Sequence, residues 1–117
     1  MEKEDRIYTG ELIKRVLLGE MTAGEACRSF PKSEDDSVLS AFCALVHLEA
    51  DEDLRKDLAY KDEQDDYLLY LSQILEQGDA LPQNIIESYK EFYKESVIYP
   101  EMTRVNILKR LKKNINL

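Results

Sequence analysis

The sequence has no tryptophan, one histidine, four glycines and three prolines. Nowhere do β-branched residues alternate with polar ones between turn residues, so strands are not expected. Leucine, glutamate, lysine, aspartate and alanine dominate instead, and this composition predicts an all-α protein. The length of 117 residues and an apolar fraction of 44% fit a single compact helical domain covering residues 1–117.

Long hydrophobic runs and cysteine pairs are also missing. The longest nearly apolar run, residues 38–48, is too short to cross a bilayer. Met1–Arg6 is charged, and no apolar stretch of the signal-peptide kind follows it. Cys27 and Cys43 belong to no Cys-x-x-Cys pair and lie among apolar residues, which is typical of buried thiols in a reducing compartment. We therefore expect a cytoplasmic bacterial protein with no membrane contact.

Periodicity and end signals predict six to seven short helices. Thr22 and Glu25 have the spacing of a capping box, while Gly19 and Gly78 are placed to end helices. Pro31 disfavours helical geometry at the residue before it. The predicted helices cover about residues 9–18, 22–30, 36–49, 52–60, 63–77, 82–95 and 100–114.

The helix predicted at about 36–49 is apolar on nearly every side. A helix of this kind is surrounded by others, so we expect it to be the central element of the bundle. Its fully buried residues should include Val38, Phe42, Leu45 and Val46.

Charge is unevenly distributed along the chain. The net charge of −8 is the sum of +5 in residues 104–117 and −13 elsewhere. Such an acidic body repels nucleic acid, because each phosphate contact needs a lysine or arginine. In the last segment, Val105, Leu108, Leu111 and Ile115 are spaced to dock on the body. The basic residues would then face an acidic surface or an anionic partner; they are Arg104, Lys109, Arg110, Lys112 and Lys113.

Thr22, Glu25-Ala26, Phe30, Ser33 and Val38 resemble the helix–turn–helix pattern of transcription factors. In that family the second helix reads base edges with basic or amide side chains. Here the corresponding helix begins with three acids, residues 34–36, and continues as an apolar run. DNA binding is therefore not expected.

Two acidic pairs give an enzymatic alternative. Glu49-x-x-Glu52 and Glu63-x-x-Asp66 resemble the paired carboxylates of all-helical nucleoside triphosphate pyrophosphohydrolases. Residues three apart share a helix face, so two such pairs on adjacent helices would converge on Mg²⁺. The resemblance implies Mg²⁺ as cofactor and these four carboxylates as its ligands. The other interpretation is that the acids are solvated helix caps and faces.

No other catalytic or metal-binding motif is complete, and His47 is the only histidine. The main hypothesis is therefore a regulator, adaptor, inhibitor or immunity-type factor that acts by contact with another protein or with itself, without catalysis, metal or cofactor. Aromatic side chains are favoured at protein interfaces. The candidate contact residues are Tyr89, Phe92 and Tyr93, together with the basic residues of the last segment.

Overall fold

The computed structural model describes residues 2–93, with side chains as far as residue 91. These residues form five α-helices and one 3₁₀ turn. The elements are α1 (Glu2–Leu17), α2 (Ala23–Arg28), α3 (Asp36–Ala50), the 3₁₀ turn Leu54–Lys56, α4 (Leu58–Glu76) and α5 (Gln83–Tyr93). No strand occurs in these residues, so the all-α prediction is confirmed. The helix predicted at about 100–114 lies outside the described residues.

The first helix is longer than its predicted range of 9–18. It begins at Glu2 because acids in its first turn favour the positive end of the helix. Thr9 and Gly10 are buried within α1 and do not cap it. The predicted end is confirmed, since Gly19 has a φ of 76° just after the last turn.

The predicted capping box at α2 is confirmed. The Glu25 amide donates to the Thr22 hydroxyl and the Thr22 amide donates to the Glu25 carboxylate, both at 3.1 Å. The predicted acidic start of α3 is also confirmed, because Asp35 caps it by accepting a hydrogen bond from the Val38 amide.

The prediction of a separate helix at 52–60 is wrong. The described residues 2–93 contain five helices, where the sequence predicts six. After α3 the chain makes only the short 3₁₀ turn. The carboxylate of Asp57 then accepts hydrogen bonds from the amides of Ala59 and Tyr60, at 3.0 and 3.3 Å. This cap starts α4 at Leu58 instead of residue 63, and the helix continues without interruption to Glu76.

The central position of α3 is confirmed. Helices α1, α2, α4 and α5 all contact it, and every residue from Ser37 to Val46 is buried. The Phe42 ring meets the Phe30 ring edge-on, with centroids 5.5 Å apart. One side of α4 completes this core with Leu68, Leu71 and Leu75. Within residues 2–93 no helix combines the length and apolarity that crossing a membrane requires.

Candidate contact surface

The acidic residues that cluster in the sequence fall into two groups. Those of the first group form hydrogen bonds or ion pairs with other parts of the fold. The Asp35 carboxylate caps α3 and also accepts hydrogen bonds of 2.7 and 3.1 Å from the Arg6 guanidinium. Arg6 donates a further bond of 3.3 Å to the carbonyl oxygen of Gly78, beyond the end of α4. These contacts join three helices, so Asp35 is a structural residue.

Two more aspartates hold the connection between α3 and α4. Asp51 accepts a 2.6 Å hydrogen bond from the Tyr60 hydroxyl, and this bond raises the pKa of Tyr60. Asp65 accepts bonds of 2.7 Å from both Arg55 and Lys61. Partial burial opposes its ionisation, but the bonds from Lys61 and Arg55 outweigh it and lower the pKa of the Asp65 carboxyl. The negative charge of Asp65 is therefore neutralised locally.

A second group of acids lies on the solvent side of α4, beside large apolar side chains. Asp62 and Asp66 are one helical turn apart, Leu58 precedes them by a turn, and Leu69 follows them by a turn. Neither these acids nor Glu63 makes an ion pair or side-chain hydrogen bond with another residue in the described range 2–91. We define the α4 outer face by six exposed side chains: Leu58, Asp62, Glu63, Asp66, Leu69 and Tyr70.

The apolar members of the α4 outer face are well exposed. The relative accessibility is 72% for Leu58, 40% for Leu69 and 47% for Tyr70, and Leu54 in the preceding 3₁₀ turn reaches 58%. Single exposed leucines are ordinary on protein surfaces. Several large apolar side chains next to unpaired acids on one helix instead form a mixed apolar and acidic patch, which marks a candidate contact site.

Of the residues on this face, only Glu63 and Asp66 were predicted as site residues, and as metal ligands; Leu58 and Leu69 were not predicted. The helical spacing could have identified these two leucines, because Leu68, Leu71 and Leu75 already form the buried stripe of the helix. Leu58 and Leu69 fall outside that stripe. The wrong start assigned to α4 concealed the position of Leu58.

The four carboxylates of the enzymatic alternative lie in two different settings. Glu49 and Glu52 are at the end of α3 and in the turn after it, whereas Glu63 and Asp66 lie on the α4 outer face. Among the residues described, no three histidine, cysteine, aspartate or glutamate side chains are grouped so that they could hold a metal ion. The geometry of residues 2–91 therefore supplies no Mg²⁺ site for this alternative.

Glu49 and Glu52 instead line an open groove of about 450 Å³ between α2 and the end of α3. Val16, Met21 and Leu48 contribute apolar surface to the groove, and Arg28 and Arg55 lie beside the glutamates. Two positive and two negative side chains leave the groove with no net charge, so its electrostatics favour neither an anion nor a cation.

Among the predicted contact residues, Tyr89 is packed against the body. Its hydroxyl lies 3.2 Å from that of Tyr67 on α4, and its ring meets His47 edge-on with centroids 5.9 Å apart. Burial, together with the Tyr67 hydrogen bond, raises the pKa of Tyr89. Tyr89 therefore joins α5 to α3 and α4. The side chains of Phe92 and Tyr93 lie outside the described residues, as do Arg104, Lys109, Arg110, Lys112 and Lys113.

The potentially reactive side chains of the core show no sign of activation. Cys27 and Cys43 are both buried thiols, and burial raises the pKa of Cys43, which disfavours its thiolate. Burial lowers the pKa of His47, so its neutral form is favoured. Comparisons with protein families, curated proteins and solved structures found no significant match to this chain.

Proposed function

We propose that this protein acts by binding another protein through the α4 outer face, as a non-catalytic regulator, adaptor, inhibitor or immunity-type factor. The observation that supports the proposal is the exposure of Leu58, Leu69 and Tyr70 around three acids that have no ionic partner among the described residues. The two buried cysteine thiols are compatible with the cytoplasm of a bacterium, where we expect the protein to work.

The chemistry of the face indicates the kind of partner. Burying one exposed leucine side chain contributes roughly 1.5–3 kcal/mol, so the apolar members would supply most of the affinity. The carboxylates between them mainly increase the association rate and reject partners of like charge. The expected partner therefore presents apolar side chains on both sides of a lysine or arginine cluster. Nucleic acid does not fit, because its phosphates would meet Asp62, Glu63 and Asp66.

The test is affinity capture from an extract of the native cells with the full chain as bait. The face variant combines Leu58→Lys with Leu69→Lys. The control variant combines Tyr8→Lys with Leu18→Lys. It adds the same charge at two exposed apolar side chains, one in α1 and one just after its last residue. We expect the unchanged chain and the control variant to retain the same protein in stoichiometric amounts, and the face variant to lose it. Equal retention by all three baits, or retention by none, would refute the proposal.

A further inference from the structure

We propose that residues 104–117 of the same chain bind to the α4 outer face and cover it until a partner displaces them. The segment has an apolar pattern that matches the apolar side chains of the face. Val105, Leu108, Leu111 and Ile115 follow each other at intervals of three and four residues, as the side chains on one face of a helix do. As a helix, fourteen residues would be about 21 Å long, and α4 from Leu58 to Tyr70 covers about 18 Å.

The charges of the segment and of the face are complementary. Residues 104–117 carry five positive charges and no acid, in a chain whose net charge is −8. The α4 outer face offers Asp62, Glu63 and Asp66, none of which is neutralised by another described residue. Neighbouring Asp65, by contrast, is already paired with Arg55 and Lys61. The unpaired acids are thus next to the exposed leucines, where a basic and apolar segment would need them.

The connection to α5 is long enough for the segment to reach the face. The Tyr67 and Tyr89 hydroxyls, 3.2 Å apart, link α5 to α4 through two long side chains, and Tyr67 is one turn away from Glu63 and Tyr70 on α4. The backbone of α5 continues four residues past this contact, to Tyr93. The ten residues from 94 to 103 can extend over roughly 33–36 Å, about twice the length of the face. The last segment can therefore reach the α4 outer face of its own chain.

This arrangement would regulate the site described above, and that consequence rests on the proposed function. A segment tethered by a short linker is present at an effective concentration in the millimolar range. An external partner must compete with it, so deleting residues 104–117 should strengthen partner binding. Docking of the segment itself does not depend on any partner and can be tested on the isolated protein.

Zero-length cross-linking of the full chain tests the docking directly. A carbodiimide activates a carboxylate, and a lysine amine in direct contact then displaces the activated group to form an amide. We expect amides that join Lys109, Lys112 or Lys113 to the acids of the α4 outer face. A mixture of ¹⁴N- and ¹⁵N-labelled protein should yield these peptides only with matching labels. Mixed-label peptides would show a second copy on the face, and amides only to other acids would place the segment elsewhere; either result overturns the proposal.

The rate of trypsin cleavage within residues 104–113 gives an independent measurement. Docking protects these sites, so neutralising the face with Asp62→Asn, Glu63→Gln and Asp66→Asn should increase the cleavage rate about fivefold or more. The matched control neutralises three exposed acids on other parts of the surface and should leave the rate unchanged; it combines Glu11→Gln, Glu20→Gln and Glu34→Gln. Equal rates in both variants would overturn the proposal.

The two proposals can fail separately. If the cross-links and the protection are found while the Leu58→Lys, Leu69→Lys variant still captures the partner, the docking stands and the proposed function fails. If the capture depends on the face but no cross-link to it forms, the docking fails and the proposed function stands.

Discussion

The Ser72 hydroxyl donates a buried hydrogen bond of 2.9 Å to the carbonyl oxygen of Gly10, at the point where α1 crosses α4. A Cβ atom on Gly10 would lie 2.9 Å from the Glu76 amide nitrogen and 3.0 Å from the Ser72 carbonyl oxygen. Both neighbours are backbone atoms, so only glycine allows the helices this approach. The crossing holds one side of α4 against the core and leaves the α4 outer face directed to solvent.

Gly10→Ala should therefore destabilise the protein, even though alanine is the better helix former. Forcing the helices apart costs about 1–3 kcal/mol, and the gain in helix propensity offsets at most about 1 kcal/mol. The matched control is Gly24→Ala in α2, where a Cβ would have ordinary contacts at 3.5 Å. Urea unfolding should show a lower midpoint for Gly10→Ala and an equal or higher midpoint for Gly24→Ala. A Gly10→Ala protein as stable as the unchanged chain would contradict the close crossing.

Arg6→Ala should reduce the free energy of unfolding by about 1.5–3 kcal/mol, because it leaves the partly buried Asp35 carboxylate without its cation. Asp35→Asn should cost less, since asparagine can still cap α3. In a double-mutant cycle the two changes should be strongly non-additive. Arg15→Ala is the control, because Arg15 is exposed and has no ion pair within residues 2–91. Additive effects would show that the Arg6–Asp35 pair does not stabilise the fold.

The sequence predicted the elements that depend on local signals, such as the Thr22–Glu25 capping box, the stop at Gly19 and the apolar α3. It could not distinguish acids that are paired in the fold, such as Asp35, from exposed acids such as Asp66. The difference lies in contacts with residues that are far away in the sequence. Arg6, which binds Asp35, is 29 residues away in the sequence. The α1–α4 crossing at Gly10 is likewise a long-range contact, and for that reason a glycine within a helix was mistaken for a residue near its start.

Phe42→Ala should cost about 3–5 kcal/mol, because the side chain is buried in α3 and meets Phe30. Leu18→Ala, at a side chain that is 64% exposed and lies outside the α4 outer face, should change the stability by less than about 0.5 kcal/mol. Thermal unfolding followed by circular dichroism measures both effects. Similar losses for the two variants would contradict the assignment of α3 to the centre and of Leu18 to the surface.

Stability should fall as the pH decreases below about 6.5, the ordinary pKa of histidine. Burial lowers the pKa of His47 in the folded protein, so the unfolded state binds the proton first. The contribution of neutral His47 to the free energy of unfolding is complete above about pH 6.5 and is lost as the pH falls toward the lowered pKa. Since His47 is the only histidine, His47→Gln should remove the pH dependence between pH 7 and 5.5. A variant with an undiminished slope would assign the titration to another group.

The most direct test of the α4 outer face is the dissociation constant of the captured protein, measured by calorimetry for three full-length chains. Leu58→Lys with Leu69→Lys should raise this constant about tenfold or more, because it removes apolar contacts and leaves charge in their place. Tyr8→Lys with Leu18→Lys should leave it within about twofold of the unchanged chain. If both variants bind as the unchanged chain does, or if the control variant loses affinity equally, the α4 outer face is not the contact surface.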